Sequence, residues 1–177
     1  MSGTCTGGRD RGSFEDRTAL ARRQRCVSLN PTARMAARTY VTFEWDTAAE
    51  GERDEHDHLI VPAGKEIADH VHARLSEKGL RVSDVDLHET YGWAFDSVSR
   101  DVPVWCLLQR LDAWLINTEV FFPVWHWLRG RRPEEQEALV CRAIHEALAS
   151  GRRARSVRWF ARHEFKAGRG TGGGEQP

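Results

Sequence analysis

Four groups of side chains in this 177-residue chain are of types that can do chemistry. The most metal-like is the run Asp54-Glu55-His56-Asp57-His58, which offers carboxylates and imidazoles together. First-row metals accept both ligand types. Neighbouring loop side chains diverge, however, and a closed site would need further ligands, for which His70 and His72 are the nearest histidines. Those two lie two residues apart in a helical stretch and so point to different faces. His145-Glu146 lacks the second histidine of the H-E-x-x-H zinc motif. The reading preferred for this run is a solvated acidic loop, with His56, Asp57 and His58 as the metal candidates. No metal or other cofactor is expected.

The second group stands on a strand. In the stretch around Val85 to Asp96, Asp86, His88 and Thr90 alternate with Val85, Leu87, Tyr91 and Trp93, which implies one wet and one dry face. Asn117 and Glu119 interrupt a later apolar strand, so the wet face would gather His88, Asp86 and Glu119, with Gln109, Arg158 and Arg162 as neighbours. A histidine between carboxylates is suited to general acid–base work. An open sheet face must carry polar residues in any case, and no nucleophile or phosphate-binding loop accompanies these.

Tryptophans form the third group. The chain has seven. Trp45 and Trp93 fit a dry face, whereas Trp105, Trp114, Trp125 and Trp127 exceed what one small core readily takes. Surplus large aromatics form the centres of protein interfaces, which makes these four the candidate binding residues. The fourth group is basic: Arg129, Arg131 and Arg132, then Arg152, Arg153, Arg155, Arg158 and Arg162. Such a group beside Trp125 and Trp127 could contact phosphates. The net charge of zero divides into +5 over residues 1–38, −10 over 39–128 and +5 over 129–177, so a broad basic track is not expected. Only three of the 26 basic residues are lysine, as the codon usage of a GC-rich bacterial genome would produce.

The elements that position these groups follow from hydrophobic period. Val41, Phe43 and Trp45 alternate with Thr42 and Glu44 in a strand from Thr39 to Asp46. The acidic stretch Thr47 to His58 reads as a loop. Ile67, Ala68, Val71 and Leu75 recur at helical spacing, with Gly79 placed to end the helix in a left-handed turn. Three β-favouring runs between Val85 and Phe122 are separated by Ser99-Arg100-Asp101 and Arg110-Leu111-Asp112, the pattern of an antiparallel meander. Gly92 reads as a bulge within the first run. Pro133 opens a second helix with Glu134, Glu135 and Glu137 near its start, and Leu139, Val140, Ala143, Ile144, Ala147 and Leu148 form its apolar stripe. A last strand spans Ser156 to Phe165. The expectation is an α+β fold in the order β-α-β-β-β-α-β: a two-layer sandwich with a mainly antiparallel five-stranded sheet and both helices on one face.

Residues 39–165 would form a single globular domain between a disordered arginine-rich extension, 1–38, and a disordered glycine-rich tail, 166–177. Met35, directly before the first strand, is expected to be the natural start. No apolar run approaches the roughly 18 residues of a membrane span. The four cysteines form no C-x-x-C pair and read as reduced thiols of a cytoplasmic protein. Cys106 and Cys141 fall on apolar faces and read as inert core. No Walker, Rossmann, G-x-S-x-G or nucleic-acid-binding motif is present. The leading expectation is a non-enzymatic protein-binding or regulatory domain that engages a protein partner or a second copy of itself through its aromatic-rich surface. The alternatives are a small enzyme using His88 with Asp86 or Glu119, and an arginine-based nucleic-acid binder.

Overall fold

Alternation of apolar and polar residues sets the first strand, β1 (Arg38–Trp45), in which Val41, Phe43 and Trp45 are buried and Glu44 is exposed. The computed structural model describes residues 37–46, 50–89, 91–99, 101–121, 132–168 and 173–177, all within the compact unit Ala36–Pro177. The expected start at Met35, most of the N-terminal extension, Trp125 and Trp127 lie outside the described residues.

After β1 come β2 (Glu52–Arg53), β3 (Leu59–Val61), helix α1 (Lys65–Glu77), β4 (Arg81–Val82), β5 (Asp86–His88), β6 (Gly92–Ser99), β7 (Val102–Arg110) and β8 (Trp114–Val120). The chain continues through helix α2 (Pro133–Ser150), β9 (Ala154–Ala161) and the short helix α3 (Arg162–Lys166). The main sheet has seven strands in the order β4-β6-β7-β8-β1-β9, with β5 also on β6, and each of its pairings is antiparallel. The fold is thus α+β with an antiparallel sheet.

Both long helices end and begin where local chemistry dictates. Gly79 takes φ 79°, and Leu80 donates its N–H to the Leu75 carbonyl at 3.2 Å, closing α1. Proline stands in the first turn of α2, followed by Glu134 and Glu135 at the positive end of the helix dipole. The apolar stripes of the two helices share one core with a single face of the sheet. Ile67, Val71 and Leu75 of α1 and Val140, Ile144 and Leu148 of α2 are wholly buried there with Phe43, Leu108, Ile116 and Trp159. Removing any of these aliphatic side chains down to alanine costs about 2–5 kcal/mol by lost transfer energy and the cavity left behind. The opposite face holds a smaller cluster, in which Phe165 of α3 stacks on Tyr40 with centroids 5.0 Å apart, over Leu115 and Phe160.

The expected five strands become seven in the main sheet because two segments fold differently from their sequence pattern. The stretch expected as one strand around Val85 to Asp96 turns back on itself. β5 and β6 form a hairpin with His88 opposite Gly92, turned through Glu89 at φ 53°. Beyond it, β4 joins the same edge of β6, where Ser83 donates its N–H to the Asp96 carbonyl and accepts from the Asp96 N–H, both at 2.9 Å. The expected acidic loop contributes a separate two-stranded sheet, β2 paired with β3. The last strand ends at Ala161 rather than Phe165, where the Ala161 N–H donates to the Glu164 carboxylate at 2.8 Å and starts α3. Of the tail expected to be unstructured, residues 173–177 lie against β9, with Gly174 bridged to Trp159. No described helix is long and apolar enough to cross a membrane.

Candidate functional site

Gly92 brings the edge of the sheet close enough to build an aromatic lane. A Cβ at this position would collide with the Leu108 carbonyl on β7, so glycine is what allows β6 to approach at the mouth of the hairpin. The tight turn then pairs β5 with β6 and sets His88 between Tyr91 and Trp105. The rings form a continuous edge-to-face series on the sheet face away from α1 and α2. Tyr91 meets His88 at 5.3 Å, His88 meets Trp105 at 5.3 Å, and Trp105 meets Phe121 at 6.4 Å. Phe121, one residue beyond β8, is 65% exposed and Tyr91 43%, while His88 and Trp105 are half-buried. Such pairs are held by the complementarity of ring edge and ring face, worth about 0.5–1.5 kcal/mol each beyond buried area.

Carboxylates flank the lane. Trp105 lies opposite Asp96 on one neighbouring strand and opposite Glu119 on the other. Asp86 occupies β5 beside His88 and is exposed, as is Asp96. Glu119 faces Arg162 of α3 at 3.6 Å.

The structure brings Trp105 and His88 together and separates the other residues expected at a site. Glu119 is on β8, three strands from His88, which is about 14 Å across the sheet at the usual strand spacing. Neither Asp86 nor Glu119 hydrogen-bonds to His88, so the expected histidine–carboxylate pair is not formed. Trp114, expected with the binding aromatics, is 5% exposed and belongs to the core, its ring packed over Gly64 at the start of α1. Its parity along β8 puts it on the helix-covered side with Ile116.

His56, Asp57 and His58 occupy the turn joining β2 to β3. The Asp54 carboxylate accepts the N–H groups of His56 and His58 at 2.9 and 2.8 Å and lies 3.1 Å from His58 Nδ1. These bonds, led by that from the His58 N–H, hold the Asp54 carboxyl below its ordinary range. Asp54 thereby organises an Asx-type turn, in which Asp57 adopts φ 66°. Among the described residues no group of three or more His, Cys, Asp and Glu is arranged to hold a metal ion. His70 and His72 are engaged elsewhere, against the Ala147 carbonyl at 3.1 Å and the Phe95 ring at 6.5 Å.

Several of the basic residues considered for phosphate contact face carboxylates instead. Arg155 pairs with Asp46 at 2.6 Å, Arg132 with Glu135 at 3.3 Å and Arg162 with Glu119. Arg158 lines a cleft of about 340 Å3 beneath α3, floored by Leu115, Phe160 and Phe165.

One polar group was missed in the sequence. Beneath α2, Thr118 Oγ1 lies 3.4 Å from each of Glu137 Oε1, Cys141 Sγ and the Thr39 carbonyl oxygen. Burial raises the Glu137 carboxyl to about 7 and the Cys141 thiol to about 12, and it pushes up the wholly buried Cys106 thiol as well. The thiols are therefore held protonated. Position 137 lies three and four residues before Val140 and Cys141 on the apolar stripe, and that spacing was the available signal.

Compared with known protein families, characterised proteins and solved structures, the chain matches none.

Proposed function

We propose that this chain is a non-enzymatic protein-binding module whose aromatic lane takes a basic segment of a partner protein. The observation that carries the reading is the unbroken series Tyr91, His88, Trp105, Phe121, which ends in a phenylalanine 65% exposed. Rings left in water at the centre of a surface patch gain most when a partner covers them. The exposed carboxylates of Asp86 and Asp96 beside the rings favour lysine or arginine side chains, which also stack on aromatic faces. In this reading the architecture is a two-layer sandwich, with α1 and α2 covering one sheet face and the lane presented on the other. A cytoplasmic setting accompanies it, and the buried, unpaired thiols of Cys106 and Cys141 among the described residues suit that setting. Supporting this reading over an acid–base enzyme, the His88 ring is engaged with Tyr91 and Trp105, and among the described residues no carboxylate is bonded to it. Supporting it over nucleic-acid binding, carboxylates pair with Arg132, Arg155 and Arg162.

The test is calorimetric titration of the full chain with an amphipathic peptide of lysine and leucine, beside a Trp105→Ala, Phe121→Ala double variant. Neither ring is part of the main core, so the variant should keep the parent's circular dichroism. Saturable binding that weakens with salt and falls at least about 30-fold in the variant, the equivalent of a 2 kcal/mol hot spot, is the expected result. Equal affinity of the two chains would remove the lane from consideration. A parent dimer that the double variant dissolves, seen by light scattering, would make the partner a second copy.

A further inference from the structure

The free edge of β9 already holds a strand. Trp159 donates its N–H to the Gly174 carbonyl at 2.7 Å, and the Gly174 N–H donates back to the Trp159 carbonyl at 2.9 Å. This is the closely spaced pair of an antiparallel ladder. Beyond the bridge, Arg38 Nη1 donates to the Gln176 carbonyl at 3.3 Å. The seat requires glycine at position 173 and admits a larger residue at 174 only if the Arg38 guanidinium moves aside. Gly173 has φ 109°, and a Cβ there would stand 2.6 Å from the Phe160 ring, while a Cβ on Gly174 would run into the Arg38 guanidinium.

Only part of the edge is occupied. By strand alternation Val157 turns its N–H and C=O the same way as Trp159. Past the bridge a cleft of about 530 Å3 opens between Ser156, Val157 and Arg158 on one side and Gly173, Gly174 and Glu175 on the other. A bulge at Ser156, with φ 54°, ends the site on one side. On the other, Ala161 has already given its N–H to Glu164. The edge carries basic side chains, with Arg158 exposed on β9 and Arg38 beside it, while Arg155 is paired with Asp46, and the resident segment brings Glu175.

We infer that the β9 edge is a strand-addition site for an extended acidic segment with glycine at the place that meets Phe160, and that residues 173–176 are its resident occupant. Main-chain hydrogen bonds at Trp159 and Val157 supply the pairing, and the arginines select the charge. The requirement for glycine against Phe160 sets the sequence. The resident segment wins by tethering, which presents it at an effective concentration of order millimolar. An external acidic segment with glycine at that place must displace it. The edge is thus capped against indiscriminate sheet extension and open to a matching partner. This site is separate from the aromatic lane and stands or falls without it.

The test uses the full chain and its Gly173→Val variant, since a β-branched residue cannot hold φ 109° against the Phe160 ring. The probe is the blocked peptide acetyl-GGGEQP-amide, with acetyl-GAAEQP-amide as control. Amide hydrogen exchange of Trp159 should quicken at least tenfold in the variant while Phe160, which bonds towards β1, is unchanged. The probe should bind the variant at least tenfold more tightly than the parent and restore protection at Trp159, and the control peptide should do neither. Unchanged Trp159 exchange in the variant would overturn the resident cap. A probe that fails to bind, or binds both chains equally, would overturn the strand-addition site. Dimerisation of the variant through the freed edge would make the occupant a second copy and overturn the acidic segment.

Discussion

Glu137→Gln should stabilise the protein in mildly alkaline solution and leave it nearly unchanged in mild acid. The Glu137 carboxyl lies on the sheet-facing side of α2, with Thr118 Oγ1 3.4 Å away. Burial raises it from the ordinary 4.5 to about 7, the Thr118 contact opposes the rise, and the charges of Glu119 and Glu134 add to it. At about 1.4 kcal/mol per pKa unit, that displacement corresponds to about 3 kcal/mol. The side chain is partly exposed, and solvent screening reduces the figure to about 2 kcal/mol. The folded chain keeps a proton that the unfolded chain has released, so stability falls as pH rises. The contribution is complete below about pH 4.5, declines through the interval to about 7 and is absent above it.

Glutamine keeps the shape and cannot ionise. At pH 5 the variant and parent should unfold at the same urea midpoint. At pH 8 the variant should be more stable by about 2 kcal/mol, a rise in melting temperature of about 4–8 °C for a chain of this size. Comparing variant with parent at each pH cancels the titration of the eight histidines. A difference that does not change between pH 5 and pH 8, or a variant less stable at pH 8, would refute a carboxyl raised by burial.

The remaining expectations concern two other positions. Gly64→Ala should cost at least 2 kcal/mol in urea unfolding, because φ 93° is strained for any residue with a Cβ and that Cβ would overlap the Trp114 ring; a loss below 1 kcal/mol would mean that the start of α1 shifts freely. Ser97→Ala should be neutral or stabilising by about 1 kcal/mol, since Ser97 Oγ is fully buried without a hydrogen-bond partner among the described residues. A clear loss of stability on that substitution would reveal a partner for the hydroxyl.

The two long helices and the meander β6-β7-β8 were legible because each carries a period that burial enforces. Ile67, Val71 and Leu75 can meet one core only from a helix, and the three buried aliphatics of α2 repeat the argument. The break at Asp101 sits in the left-handed region at φ 63°, as a tight hairpin requires. What escaped were segments without a dry face. Glu52 and Arg53 are both exposed in β2, so no alternation marks them as a strand. The β5–β6 hairpin escaped for another reason. His88 and Gly92 face one another across a three-residue turn, so polar and apolar positions alternate almost unbroken through it. Gly92 was the visible signal, and close approach to β7 rather than a bulge is its physical cause.

The tryptophans show where alternation stops deciding. Trp105 stands between Val104 and Cys106, and Trp114 next to Leu115, so both faces of β7 and β8 are apolar. A period-two pattern that is apolar on both phases leaves open which phase meets the helices. Register decides it. Cys106 lies opposite Thr118, which reaches Cys141 on α2, so the Cys106 phase is the covered one and Trp105 is turned away. Phe43 lies opposite Trp114, and that places Trp114 on the covered phase with the core of β1. Sheet register joins residues more than 70 positions apart, as between Phe43 and Trp114, and local sequence does not encode such pairings directly. The tail presents the reverse case. Gly173 and Gly174 give it a composition usually read as disorder, yet φ 109° and the Phe160 ring account for glycine at 173. Glycine-rich composition marks permissive backbone in either case, and only the neighbouring Phe160 and Arg38 distinguish a seated strand from a free one.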